Sequence, residues 1–329
     1  MDAPPVDRQV AFLLPGQGSQ HRRMAAGLYG RYDAFTGAMD EVFELLGADG
    51  PAVREDWLSE RPRVSIDHVT RSQILLFAVD YALATQLTSW GVRPAALLGH
   101  SVGEIAGAVL AGVFRLADGV ALMWDRIGRL AAAPPGGLLA VAGTVEAVRG
   151  FCTDEVVVGA VNAPRQVILA GPAEPLAAVT AALRAADFTV YPVPASTAFH
   201  SPMLAEVASG AVPMIAQLPV RPPRVRLQSG YTTKPLTGED VARPELWASH
   251  PVAPVLFWPA VDALLADGAY LLVETGPGQG LASVVRRHPQ VLARRSQVLA
   301  ALPARPAGDE ADRESLERLA EQLLAAAGR

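Results

Sequence analysis

The stretch "LLGHSVGEIAGAVLAG", Leu97 to Gly112, constrains this chain more than any other. A short apolar strand, "PAALLG", runs directly into a small-residue helix, "SVGEIAGAVLAG", with Ser101 at the junction between Gly99 and Gly103. A serine on such a strand-to-helix turn exposes its hydroxyl and leaves the next amide, that of Val102, at the positive end of a helix. The pattern is that of a nucleophile elbow in an α/β architecture. It raises the question of what base serves Ser101 and what accepts an acyl group from it.

Other segments fill in that architecture. "VAFLLPGQGSQ" (Val10 to Gln20) reads as a buried strand delivering a glycine-rich loop. "SQILLFAVDYALATQLTSW" (Ser72 to Trp90) has apolar residues on nearly every face, as a buried helix does, and Gly91 ends it. From Gly137 to Ser196 the rhythm changes to strand, helix, hairpin, helix, strand, a βαββαβ ferredoxin-like unit entered through the hinge "AAAPPGG". The expected organisation is a large parallel-sheet subdomain over residues 1–135 and 199–329, with a small subdomain inserted at 136–198. Later elements are read as a strand "RVRLQSG", a loop with Trp247, a helix from Pro259 to Asp267, a strand "AYLLVETGPG" and a helix from Gly280. A terminal helix over about 308–327 carries Leu316, Leu319 and Leu323 on one face and is expected to dock on the core.

Serine needs a base and an oxyanion hole to act as a nucleophile. Of the six histidines, His100 precedes the serine and is read as structural, while His21, His68, His250 and His288 lie in polar surroundings and are read as surface residues. His200, in "STAFHSPML", follows a strand and falls after Ser101 in the chain order of this architecture, which makes it the candidate base. No acid between them ends a strand on the elbow's edge of the sheet. The imidazole is therefore expected to donate to a backbone carbonyl instead. Arg126, in the otherwise apolar "LMWDRIGRLAAA", either clamps a carboxylate or forms a salt bridge with Asp125 or Glu104.

Composition removes other classes. A formal net charge of −5 and a pI near 5.7 leave no basic surplus for nucleic acid. Cys152 is the only cysteine, so neither an intramolecular disulfide nor a cysteine-based zinc cluster can form. No run of 18 or more apolar residues occurs and the N-terminus lacks a signal pattern, so a cytoplasmic protein with no membrane association is expected. No obvious apolar surface stripe is visible, and a monomer is expected.

Taken in order, "PGQGSQ" at Pro15, "GHSVGE" at Gly99, Arg126, "AFHSP" at Ala198 and "ETGPG" at Glu274 identify a resemblance. The chain resembles the malonyl-CoA:acyl carrier protein transacylases and the acyltransferase domains of polyketide synthases, over about Phe12 to Arg287. The resemblance implies an α/β-hydrolase-like large domain with a ferredoxin-like insert. It implies Ser101 as acylated nucleophile, His200 as base, the Gln17 and Val102 amides as oxyanion hole, and Arg126 as clamp for a malonyl carboxylate. It further implies a main-chain carbonyl near Leu256 that orients the histidine, Gln73 lining the pocket, and Asn162 near the histidine. No bound cofactor or metal is implied: acyl-CoA is the donor, and the phosphopantetheine thiol of an acyl carrier protein is the acceptor.

Phe199 and the valine of "GHSVGE" fit malonyl. Thr197 departs from the family's usual "HAFH", and Trp124 is expected to bring bulk near the arginine, so an unusual extender unit stays open. The short flanks imply a free-standing enzyme acting in trans. Competing readings are transfer of a larger, non-malonyl acyl group between carrier proteins, an editing hydrolase without need of Arg126, and a non-catalytic carrier-binding module.

Overall fold

The structure, a computed structural model, describes residues 8–327. The opening segment Met1 to Asp7, part of the N-terminus that lacks a signal pattern, lies outside the described residues. Five parallel strands form the large sheet in the order β7-β2-β1-β8-β9, with β1 Gln9–Leu14, β2 Ala96–Gly99, β7 Arg226–Gln228, β8 Tyr270–Glu274 and β9 Gln297–Ala300. Strands of such a sheet are covered on both faces and read as continuous apolar runs. The period of two is nevertheless visible in what each residue packs against. Phe12, Leu14, Leu97, Leu271 and Val273 enter one core, and Ala11, Leu13, Leu98, Tyr270 and Leu272 enter the other.

The first core is the larger because the Val69–Ser89 helix crosses it, buried on nearly every face as its composition predicts. The terminal helix Asp309–Ala327 docks Leu316, Leu319 and Leu323 there, as expected. The segment read as a loop around Trp247 instead forms two short helices, Gly238–Val241 and Pro244–Ala248, and the sequence reading did not anticipate β9. Trp247 is fully buried, its indole N–H donating to the Val241 carbonyl at 2.8 Å.

The second sheet is antiparallel, in the order β4-β5-β3-β6, with β3 Gly136–Val141, β4 Val157–Ala163, β5 Gln166–Pro172 and β6 Val190–Val193. The helices Val145–Val148 and Ala173–Ala185 lie between its strands in sequence and complete the βαββαβ order. One face packs Leu139, Val141, Val167 and Leu169 against them. The other face contributes Leu138 and Ala170 to a cluster with Val69, Leu130 and Phe199, which glues the small sheet to the large lobe. A backbone bridge reinforces that junction: Val255 N–H donates to Gly159 O at 2.9 Å and Val161 N–H to Val255 O at 2.8 Å.

Candidate active site

The C-terminal ends of β1 and β2, adjacent in register, deliver the Gln17 loop and Ser101 to the same edge of the large sheet. Ser101 caps the Val102–Leu110 helix with φ 55° and ψ −117°, in the left-handed half of backbone space that a non-glycine residue adopts only at a cost of order 1–3 kcal/mol. The flanking glycines make the turn possible. A Cβ on Gly99 would collide with the Glu104 amide, and one on Gly103 would collide with the Leu14 carbonyl. Packing on both sides holds the strained serine in place.

Across the cleft, His200 Nε2 lies 2.9 Å from Ser101 Oγ. Its Nδ1 lies 2.9 Å from His250 O and 3.0 Å from Ala253 O. Both partners of Nδ1 are acceptors, so Nδ1 carries the proton and Nε2 presents its lone pair to the serine hydroxyl. The His200 backbone N–H donates to Pro251 O at 2.7 Å, so the segment from His250 to Ala253 cradles the whole residue. No carboxylate takes part. The orienting carbonyls lie a few residues before the segment near Leu256 that the resemblance implied. Burial, with His100 and Arg126 nearby, pushes the His200 pKa down to about 4, which keeps the ring neutral and able to accept a proton.

The Gln17 loop abuts the elbow: a Cβ on Gly16 would sit 3.2 Å from Ser101 Cβ. The Gln17 side chain accepts from Gln73 Nε2 at 2.6 Å and donates to Pro194 O at 3.4 Å, tying the loop to the Val69–Ser89 helix and to the end of the small sheet. No partner takes the Gln17 amide among the described residues, and the Val102 amide opens a helix and lacks an acceptor within it. The Val102 amide adjoins the serine, and the Gln17 amide lies on the loop that abuts the elbow; both are unpaired donors of the kind an oxyanion requires.

Arg126 is 6% exposed, on the Leu116–Ala131 helix. Neither salt bridge weighed from sequence forms: Asp125 pairs with Arg129 at 2.7 Å, and Glu104 accepts from Ser229 Oγ and the Gly230 amide at 2.8 and 2.7 Å. The guanidinium donates to Trp247 O at 2.7 Å, its one protein partner among the described residues. Burial lowers its pKa to about 10, which leaves it charged at neutral pH. A buried cation with five donors and one neutral acceptor is a costly arrangement that an anionic ligand would relieve.

Gln73, Val102 and Phe199 line the same cleft with Ser101, Arg126 and His200. Gln17 reaches this lining only through its bond to Gln73, and two further candidates lie elsewhere. Asn162 Oδ1 bonds His100 Nε2 at 2.9 Å, so it serves the structural histidine rather than His200. Trp124 faces the large core rather than the cleft, because it sits two residues before Arg126 and a helix turns such neighbours apart.

The surface assignment of His250 and His288 is corrected: they are 2% and 3% exposed. His288 accepts from the Gln290 amide at the head of a short helix and meets Asp262 at 2.7 Å. His250 stacks on Tyr231, centroids 4.1 Å apart at 16°, and both line the cleft. Neither was singled out from sequence. The apolar setting of "WASHPVAPV" was the available signal for His250, whereas Tyr231, in the polar loop "SGYTTKP", gave none.

The Acyl transferase domain family model matches residues 11–313, most of the chain. The chain belongs to the acyl transferase domain family. It is 33% identical over 289 residues to a phenolphthiocerol/phthiocerol polyketide synthase of Mycobacterium tuberculosis, covering 88% of this chain and 19% of that protein. It is 37% identical over 284 residues to polyketide synthase GfsB of Streptomyces halstedii, covering 84% and 5%. This acyl transferase domain therefore spans a small part of the length of these relatives. Among solved structures, the acyl transferase domain of SpnD in complex with 2-(pent-4-yn-1-yl)malonyl superposes with a TM-score of 0.89 at 28% identity, covering 99% of this chain and 79% of that one. The α/β fold, a parallel sheet with an antiparallel one, is that of polyketide synthase acyl transferase domains. No helix among the described residues is long and apolar enough to cross a membrane.

Proposed function

We propose that this acyl transferase moves a malonyl-type group from coenzyme A, through an ester on Ser101, to the phosphopantetheine thiol of an acyl carrier protein in polyketide or fatty acid synthesis. The observation that carries the reading is a serine–histidine pair and a buried guanidinium without a carboxylate partner in one cleft. The malonyl derivative held by the SpnD domain supports the same acyl class.

In the first half-reaction Ser101 Oγ attacks the thioester carbonyl as its proton passes to His200 Nε2. The Gln17 and Val102 amides receive the charge that develops on the carbonyl oxygen. The carbon–sulfur bond breaks and the departing thiolate takes the proton from His200. In the second half-reaction the pantetheine thiol gives its proton to His200 and attacks the ester; the Ser101 oxygen leaves and is reprotonated. Throughout, Arg126 holds the free carboxylate. The enzyme is proposed to act as a cytoplasmic monomer on its carrier protein, with no resident cofactor.

Intact mass after mixing with a panel of acyl-CoAs tests this. A malonyl adduct absent from Ser101→Ala is the expected result. Labelling by monocarboxylic acyl-CoAs alone would favour transfer of a non-malonyl acyl group, and rapid loss of the adduct to water would favour the hydrolase.

A further inference from the structure

The two half-reactions leave one wall of the cleft unused. Tyr231 stands on the loop after β7 and lines the cleft together with Ser101 and Arg126. That hydroxyl is buried and has no hydrogen-bond partner. Behind it, His250 is 98% buried and both of its ring nitrogens are unpartnered; Nε2 stops 3.8 Å from Glu104 Oε1, beyond hydrogen-bond reach. Trp247 meets the same imidazole edge-on at 5.5 Å. Orphaned buried polar groups destabilise a fold, and an apolar pair of the same shape would avoid that cost. A stack that served packing alone has no reason to carry a buried, unpartnered hydroxyl into the cleft that holds the nucleophile.

We infer that Tyr231, held in place by the His250 ring, is a specificity-determining residue: its hydroxyl donates to the carboxylate that Arg126 holds, and its ring limits the size of the α-substituent. The inference rests on the malonyl reading of this site and deepens it. An acyl group on Ser101 Oγ shares the cleft with Tyr231, which lines it beside the serine. A three-carbon dicarboxylic acyl group places its free carboxylate two bonds beyond the ester carbonyl, between the phenol and the guanidinium. A branch on the middle carbon shares the cleft with the Tyr231 and Phe199 rings. His250 touches no substrate; it is a positioning residue that keeps the phenol turned inward.

The test measures kcat/KM for loading with malonyl-CoA, methylmalonyl-CoA and ethylmalonyl-CoA, with the melting temperature of each variant. Tyr231→Phe keeps the ring and removes the donor. It is expected to lower loading of all three by about tenfold, with unchanged ratios and no loss of melting temperature. Tyr231→Ala is expected to shift the ratio at least about tenfold toward the ethyl substrate, an effect of roughly the size that one added carbon has on pocket discrimination. His250→Phe, which preserves the stack, should keep the wild-type ratio, whereas His250→Ala should move it as Tyr231→Ala does. Wild type that loads malonyl while Tyr231→Phe matches it within twofold and Tyr231→Ala keeps its ratio would overturn the inference and leave the malonyl reading standing. Wild type that loads none of the three overturns the malonyl reading itself and the inference with it.

Discussion

The two sides of the cleft are built on opposite principles. On one side His200 is fully engaged: its amide, its Nδ1 and its Nε2 all have partners, and the carbonyls that hold it are part of the folded backbone. On the other side Arg126, Tyr231 and His250 are just as buried in their polar atoms and largely unengaged. Folding alone completes the first side. The second leaves buried polar groups without partners, and on the proposed reading the difference separates groups that act on any acyl ester from those that choose which acyl group arrives.

Breaking the engaged side should have the largest effect. His200→Ala is expected to lower kcat/KM for CoA release by about 10³–10⁴-fold for every acyl-CoA alike, since a lost base does not discriminate. A loss confined to one substrate would erase the distinction between the two sides. On the open side, Arg126→Met should cut malonyl loading by about 10²-fold. Its unfolding free energy in urea should stay level or rise by about 1 kcal/mol, because an unpaired buried charge has been removed. A fall of several kcal/mol would make Arg126 a structural residue and close the open side.

How much of this contrast could be read in advance differs for the two sides. The elbow was legible because Gly99, Ser101 and Gly103 are adjacent in sequence and each is required by local sterics. The ferredoxin-like unit was legible from its periodicity, which local burial dictates. His200 emerged by elimination among histidines. Its cradle did not, since backbone carbonyls have no sequence signature and any residue at 250 or 253 supplies one. The destination of Arg126 was similarly hidden: a helix position shows that a guanidinium is buried, but its acceptor, Trp247 O, is 121 residues away. Tyr231 was invisible, and the apolar setting of His250 hinted at burial but not at its partner, because the stack joins two loops distant in sequence. β9 escaped notice as only four residues shortly after Arg294 and Arg295, stabilised by pairing with β8 rather than by its own composition.

Two pH experiments sharpen the comparison further. With His200 neutral down to about pH 4, the acid limb of the kcat/KM profile should lie near there rather than near the ordinary histidine value of 6.5. A limb at 6.5 would show the cradle to be solvated. The smallest expected effect concerns Glu104, behind His250, whose pKa burial raises to about 8. A carboxyl whose folded pKa exceeds its unfolded value of about 4.5 favours folding less and less as pH rises from 4.5 toward 8. Glu104→Gln lacks that titration, so its stability relative to wild type should improve steadily between pH 5 and pH 8 in urea denaturation. Parallel curves for the two proteins would count against a proton on Glu104.

The bridge between Val255 and β4 bears on how this enzyme can be re-engineered. The cradle of His200 ends two residues before Val255, and Val255 is hydrogen-bonded as a stub of strand along the edge of the small sheet. The alignment of the base is thus inherited from a sheet that contains neither Ser101 nor His200. A chimera that exchanges the small subdomain to alter partner choice has to preserve the backbone register of Gly159 and Val161. Otherwise it would keep an intact elbow and a correctly folded large lobe while its imidazole pointed away from the serine.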